Sequence, residues 1–489
     1  MWELLVVPFR RLVQGWHVSC TLETKTESVP MLNRRFFLAG SAGLAAAGFS
    51  VPAAAISRAP AGVETAALRG AISAGEFGVA PGTLDDQSKA FSKLLEKSSE
   101  SEMPIFLPPG TYVVSNITLP RRVQLSGVPG ATRLLYGGDG YLLLAENADH
   151  IELTGLVLDG ANRWIGEYAQ GLGDFRRVAH LVVNNCQIIG SGGNGLALET
   201  VSGRIERTTI SGAAESGIYS VEAGRLSIAG NSVTDCANGG ILVHRWQPAD
   251  DFTMVTGNRV ERIAARKGGT GPYGNGINAF RADKVMIANN TIADCAFSAI
   301  RANSASDVQI LGNNCSRSGE TAIYAEFAFQ GAVISSNIVD GAANGIAIVN
   351  FNEGGRLAVC SGNIVRNISN VGPYPFDRPM FGVGITVEAD TTLIGNVVEE
   401  SARYGMQLGW GPYLRNVSAT GNVIRKAKVG IAVTVVEGAG PAVITDNVIE
   451  ATPDGAIVGF RWSDTATGDL TAAGATRYSH LTIERNHVS

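Results

Sequence analysis

The chain has 489 residues; 17% are charged, 60 are glycine, and the formal net charge is −5. This balance excludes an intrinsically disordered chain and a collagen-like one. It also excludes a basic nucleic-acid binder, the more so because residues 56–489 alone carry 34 basic and 41 acidic residues.

Residues 1–30 contain Arg10 and Arg11 in an apolar context and read as an upstream extension, with Met31 as the start. Residues 31–55 read as a targeting segment. Arg34 and Arg35 stand before Phe36-Phe37-Leu38, a weakly apolar run continues to Val51, and Ala53-Ala54-Ala55 supplies small residues for cleavage. The run is shorter than the ~20 residues a membrane span needs. The expectation is twin-arginine export to the periplasm or beyond. The translocase is then a transient partner, and no stable membrane span remains after processing.

Residues 56–103 are expected to form an N-terminal cap with a helix. Between Gln87 and Ser98, Ala90, Phe91, Leu94 and Leu95 fall on one face at period 3.6. Such a helix would cover the open strand edges of a first coil.

From residue 104 to 489 the chain repeats itself. An Asn-x-Val/Ile phrase, a Gly/Ala-Ile phrase and a Val-x-Ile phrase recur in that order. Asn290 to Asn313 is 23 residues and Asn313 to Asn337 is 24. Anchors are read at Asn184, Thr208, Asn231, Asn258, Asn290, Asn313, Asn337, Asn363, Asn396, Asn422, Asn447 and Asn486. A fixed period signals a solenoid, whose repeats bury their apolar side only by stacking. Apolar residues alternate over four to six positions between Gly, Asn and Ser, which is the strand pattern. The expected fold is all-β: a single-stranded parallel β-helix with three short strands per coil and strands ~4.8 Å apart. The asparagines are expected to form a hydrogen-bonded ladder at one turn.

Three further strings are more specific: Phe106-Leu107-Pro108-Pro109-Gly110-Thr111-Tyr112, Val123-Gln124-Leu125-Ser126-Gly127 and Leu153 to Gly160. With the helix before them, they resemble the N-terminal end of pectin-lyase-like right-handed parallel β-helix proteins. With the Arg34-Arg35 leader, the chain also resembles a family of twin-arginine-translocated repeat proteins of uncharacterised function. The resemblance implies a right-handed coil and an export route, and it implies no reaction. The residue sets of polygalacturonase-like hydrolases and the acidic calcium cluster of pectate lyases are missing. No metal or cofactor is implied.

Cys236 and Cys295 share a column with Ile263 between them, two coils and ~9.6 Å apart. That is too far for a disulfide. Cys186 and Cys315 are also expected to share a column. Buried free thiols are expected throughout.

Insertions mark the functional region, since function concentrates on loops held by a rigid scaffold. Anchor and Gly-Ile phrase are 18 residues apart from Asn258 to Gly276, and 21 from Asn363 to Gly384. These insertions hold Lys267, Tyr273, Tyr374, Asp377 and Arg378. The coils of Asn290 and Asn313 have no insertion and are expected to floor a walled groove. Alternation turns Arg301, Asn303, Tyr324 and Glu326 outward there, with Asn278, His244 and Glu388 in neighbouring coils.

The candidate catalytic residues are therefore Arg301, Tyr324, Glu326 and Glu388. Two carboxylates ~6.5–9.5 Å apart suit inverting glycoside hydrolysis. Tyr, Arg and His suit proton abstraction beside a uronate. His244, Trp246, Asn278, Asn303 and Trp410 are the candidate substrate contacts, with Phe351, Tyr413 and Trp462 as further wall aromatics. Outward charges are expected to be solvated and to gain little from pairing. Two functions fit: an exported enzyme acting on a polysaccharide as a lyase, hydrolase or epimerase, or a non-catalytic glycan-binding or structural protein of the cell envelope.

Overall fold

The computed structural model describes residues 70–375, 381–472 and 475–489. The upstream extension 1–30, the segment 31–55 with Arg34 and Arg35, and Asp377 and Arg378 lie outside the described residues.

One helix, Ser88–Ser101, buries Phe91, Leu94 and Leu95 and ends at Glu102 in the left-handed conformation. These side chains belong to the same apolar core as Ile105, Tyr112 and Leu125. The FLPPGTY string belongs there for a physical reason. Tyr112 is fully buried, and its hydroxyl still donates to the Pro108 carbonyl at 2.9 Å.

The rest is a parallel β-solenoid with one core running from Ile72 to Leu481. Each coil lays its strands beside those of the next. One column shows how the sequence dictates this: Ile218, Ile241, Ile277, Ile300, Ile323, Ile346, Ile385, Met406, Ile431 and Ile457 pair in succession. All are at most 1% exposed. Full burial stabilises by roughly 1.5–3 kcal/mol for each such side chain. The glycine before the isoleucine is needed where coils approach closely: a Cβ at Gly345 would lie 2.2 Å from the Gly384 carbonyl oxygen.

The expected three short strands per coil are seen in the coils opened at Thr208, Asn231, Asn258, Asn290 and Asn363, and not in every coil. Thr291–Cys295, Ile300–Asn303 and Val308–Leu311 are separate. In the coils of Asn313, Asn337, Asn396 and Asn422 the first two run together, as Asn314–Glu326, Ile338–Ile348, Val397–Leu408 and Val423–Thr434. The one antiparallel strand pair among the described residues is the hairpin of Ile457–Arg461 with Asp464–Asp469.

The asparagine ladder is present and buried. Asn313 shows the unit. Its backbone N–H and its Nδ2 both donate to Asn337 Oδ1, at 2.9 and 3.0 Å, and Nδ2 also donates to the Ile287 carbonyl at 2.9 Å. The same pattern runs from Asn231 to Asn486. Each amide satisfies buried donors that a turn leaves open. Thr208 keeps the column by donating its N–H to Asn231 Oδ1.

The ladder moves one anchor. Cys186, rather than Asn184, lies opposite Thr208, because Gln187 pairs with Thr209. Cys186 therefore sits in the asparagine column, whereas Cys315 pairs with Ile292 two positions further on. The two do not share a column. Cys295 pairs with Ile263 as expected. All five cysteines of the described residues are buried free thiols. Among the described residues no helix is long and apolar enough to cross a membrane.

Candidate functional site

The outward columns of the Gly-Ile strand carry the residues that the sequence assigns to them. One column runs Tyr219, Leu242, Asn278, Arg301, Tyr324, Ala347, Thr386, Gln407. The next brings His244 beside Phe280, and Asn303 beside Glu326. Their strand neighbours Ile300, Ala302, Ile323 and Ala325 are at 0% exposure in the core, so the alternation holds.

Solvation does not hold. Arg301 is 6% exposed and Glu326 2%. Arg301 grips Glu326 with two parallel bonds, Nε to Oε1 at 2.6 Å and Nη2 to Oε2 at 3.0 Å, and Asn303 donates to the same carboxyl at 2.7 Å. Burial pushes the Glu326 carboxyl above its ordinary pKa, against the opposing pull of Arg301 and Asn303. The guanidinium also lies over the Tyr324 ring at 5.0 Å. Burial, then the Glu326 charge, raise the Tyr324 hydroxyl, which therefore keeps its proton and is a poor base.

The cover comes from the insertions themselves. Thr270 accepts from Arg301 Nη1 at 2.7 Å and donates to Glu320 Oε2 at 2.6 Å. Tyr374 of the second insertion donates to Glu320 Oε1. The short coils expected to floor an open groove are thus bridged by the loops expected to wall it. Two cavities result.

The first, of about 420 Å³, is lined by Tyr324, Thr386, Glu388, Gln407, Trp410 and Trp462 among others. Its depth follows from the column: Ala347 stands between Tyr324 and Thr386, and a small side chain there leaves room. Trp410 and Trp462 meet edge to face at 5.6 Å. Trp462 comes from the hairpin turn, and Gly411 makes space for it, since a Cβ there would lie 2.4 Å from the indole ring. Glu388 is 7% exposed. The Phe351 backbone N–H donates to its Oε2 at 2.7 Å. Burial nevertheless outweighs the backbone donors and lifts its pKa to about 7. Glu388 is a carboxyl group that can hold a proton at neutral pH beside aromatic walls.

The second carboxyl group in this cavity is Glu320, 4% exposed, and not Glu326. Sequence alternation misses Glu320 because the strand register shifts between Ser318 and Thr321. The only signal available was its place between the anchor and the Ala-Ile phrase, opposite the insertion.

The second cavity, of about 690 Å³, is lined by Trp164, Tyr219, His244, Lys267 and Tyr273 among others. His244 packs between the edges of Tyr219 and Phe280, at 5.5 and 5.6 Å. Burial lowers its pKa to about 4, so it is neutral at pH 7. The sequence-predicted contacts are therefore divided. Trp410 lies in the Glu388 cavity and His244 in the other. Asn278 and Asn303 lie with the buried Arg301 cluster. Trp246 is 60% exposed and lines neither cavity. A roomier depression of about 710 Å³ lies elsewhere, beside Arg262, Asp294 and Arg317. Its arginines are already paired, Arg262 with Asp235 and Arg317 with Asp294.

The family model for the right-handed β-helix region matches residues 175–359 and 246–412. No curated protein matches the chain. Among solved structures, the chain is similar to a mutant of the tailspike protein of E. coli bacteriophage HK620 in complex with a pentasaccharide. That pair has 12% identity and a TM-score of 0.51, over 80% of this chain and 79% of that one. It is similar to the A-module of the mannuronan C-5 epimerase AlgE4 of Azotobacter vinelandii, with 15% identity and a TM-score of 0.47, over 66% and 97%. It is also similar to the pre-mature gene product 12 of bacteriophage phi29, with 16% identity and a TM-score of 0.48, over 79% of this chain and only 55% of that one. The chain is a right-handed parallel β-helix protein with the pectin-lyase-like fold.

Proposed function

We propose that this chain is exported through the twin-arginine route and binds a polysaccharide over the Gly-Ile strand ladder. We further propose that it hydrolyses the chain there, with Glu388 as the proton donor. The observation that carries the reading is Glu388 itself: a carboxyl group with its pKa lifted to about 7, at the floor of a cavity walled by Trp410, Tyr413 and Trp462. Glycosidic cleavage needs a protonated acid beside the leaving oxygen, and aromatic faces hold sugar rings. Glu320 is the second carboxyl group of the cavity; its oxygens accept from Thr270 and Tyr374, so it acts on water only once one of these donors is displaced. Arg301 is an unsuitable partner for a uronate, since Glu326 already holds it. This favours hydrolysis over a lyase or epimerase reaction. The HK620 tailspike, whose structure holds a pentasaccharide, has the same fold, which agrees with a glycan as ligand.

The test is a panel of β-glucans, α-glucans, polygalacturonate and polymannuronate, assayed for new reducing ends and for unsaturated uronate absorbance. New reducing ends without that absorbance are expected. Retention without turnover would leave a glycan-binding envelope protein, and no retention of any member would sink the reading. Trp410→Ala is expected to weaken retention about tenfold, the loss of one good aromatic contact. Export has its own test: Arg34→Lys with Arg35→Lys is expected to hold the precursor in the cytoplasm, and normal delivery of that variant would refute the route.

A further inference from the structure

The two cavities share one strand ladder, and a strap separates them. In the outward column, Tyr219 and Leu242 line the His244 cavity, and Tyr324 and Ala347 line the Glu388 cavity. Asn278 and Arg301 stand between, over the three strand spacings, about 14 Å, from Leu242 to Tyr324. Both lie under the segment Lys267–Gly274. Thr270 holds Arg301 and Glu320, and the Gly271 carbonyl accepts from Asn278 Nδ2 at 3.3 Å and from Asn275 Nδ2 at 2.7 Å. On its other side Lys267, Pro272 and Tyr273 line the His244 cavity.

The strap is pinned at its two ends on Asn238, whose Oδ1 accepts from the Lys267 N–H at 2.8 Å and whose carbonyl accepts from the Gly274 N–H at 2.7 Å; between them it is held lightly. Gly268 and Gly271 have φ of +83° and +109°, with open space where a Cβ would stand. Its side-chain anchors are the Thr270 hydroxyl and the Lys267–Glu215 ion pair at 2.6 Å. What it covers is unfinished. Asn278 is 3% exposed, yet its Oδ1 has no hydrogen-bond partner. A buried acceptor left unmade destabilises the fold unless something else draws on it.

One atom shows what that could be. The Thr270 oxygen accepts from a guanidinium and donates to a carboxyl group at once. A sugar hydroxyl does both with the same geometry. We infer that the strap is a removable stand-in for substrate: a glycan long enough to span both cavities displaces Lys267–Gly274 and sets its own hydroxyls on Arg301, Glu320 and Asn278, joining the two cavities into one groove. The segment that enters is neutral. Two carboxyl groups, Glu320 and Glu326, already face the one guanidinium there, and a uronate would add a third acidic group in a dry site. This rests on the glycan reading above and adds to it a chain length and a charge class.

Hydrogen exchange of the strap amides tests it, on the full chain. Without any sugar, Thr270→Val is expected to raise exchange across Lys267–Gly274 about tenfold, while Thr270→Ser keeps the wild-type rate. Long β-1,3-gluco-oligosaccharides are expected to speed strap exchange, and short ones are not. Thr270→Val should tighten binding of the long chains alone, and oligogalacturonides of equal length should leave the strap protected. Unchanged exchange in Thr270→Val would overturn the inference. So would long chains that bind while the strap stays protected, and the glycan reading would then stand. If no sugar binds any of these proteins, both fall together.

Discussion

Glu388→Gln is expected to cut the release of reducing ends by roughly 10²–10⁴-fold, the contribution of a positioned general acid, while binding changes little. Gln keeps the shape and can still accept from the Phe351 N–H, so the loss isolates the proton. The same variant should show an opposite effect on stability. Burial raises the carboxyl from 4.5 to about 7. A raised acid favours folding at low pH and opposes it once ionised, so wild-type stability falls as pH rises from 4.5 through about 7. The full window corresponds to about 3 kcal/mol. Glu388→Gln should therefore equal wild type near pH 3.5 and exceed it near pH 8, read as a higher denaturation midpoint. Activity should fade over the same rise in pH, because the donor loses its proton. A variant that is inactive and also less stable at pH 8 would show that Glu388 is structural. A residue that costs stability where it sits, and gains a proton there, is the pattern of a site selected for chemistry.

Much of this molecule was legible in the sequence because a solenoid writes its geometry in register. A fixed period places Arg301 beside Tyr324 and Asn303 beside Glu326 before any coordinates exist, and parallel pairing leaves no other arrangement. The helix over Ser88–Ser101 was legible from Phe91, Leu94 and Leu95 for the same reason, a period matched to a buried face. What the sequence hid is where the insertions lie. Their length was visible, but whether Thr270 stands beside the groove or bends across it depends on the partner it finds, and Glu320 is that partner. Glu320 was itself invisible because a register shift breaks the alternation that would have turned it outward. Burial followed the same rule. An outward position is solvated only while nothing crosses it, so Arg301 and Glu326 changed from surface charges to a buried pair with two loops.

That pair carries the largest expected effect on stability. Glu326→Ala removes both bonds from Arg301 and the bond from Asn303. It leaves a guanidinium at 6% exposure beside Glu320, 3.5 Å away, and Thr270. Removing one partner of a buried ion pair costs about 3–5 kcal/mol, and Glu320 as the remaining counter-charge puts this loss at the lower end, about 3 kcal/mol. In a solenoid each coil is held by its neighbours, so the loss should appear first as faster hydrogen exchange in Ile300–Asn303 and Asn314–Glu326, and then as a lower urea midpoint. Replacing both partners, Arg301→Leu with Glu326→Leu, should recover most of it, because an apolar pair of similar volume carries no desolvation cost. Recovery should be incomplete, since Glu320 then keeps only Thr270 and Tyr374 as donors. A cost below about 1 kcal/mol for Glu326→Ala would mean that water reaches the pair and that it behaves as a surface ion pair. The strap would then cover nothing that needs covering. A full cost with no recovery in the double variant would mean that the two side chains hold the backbone of the short coils rather than each other.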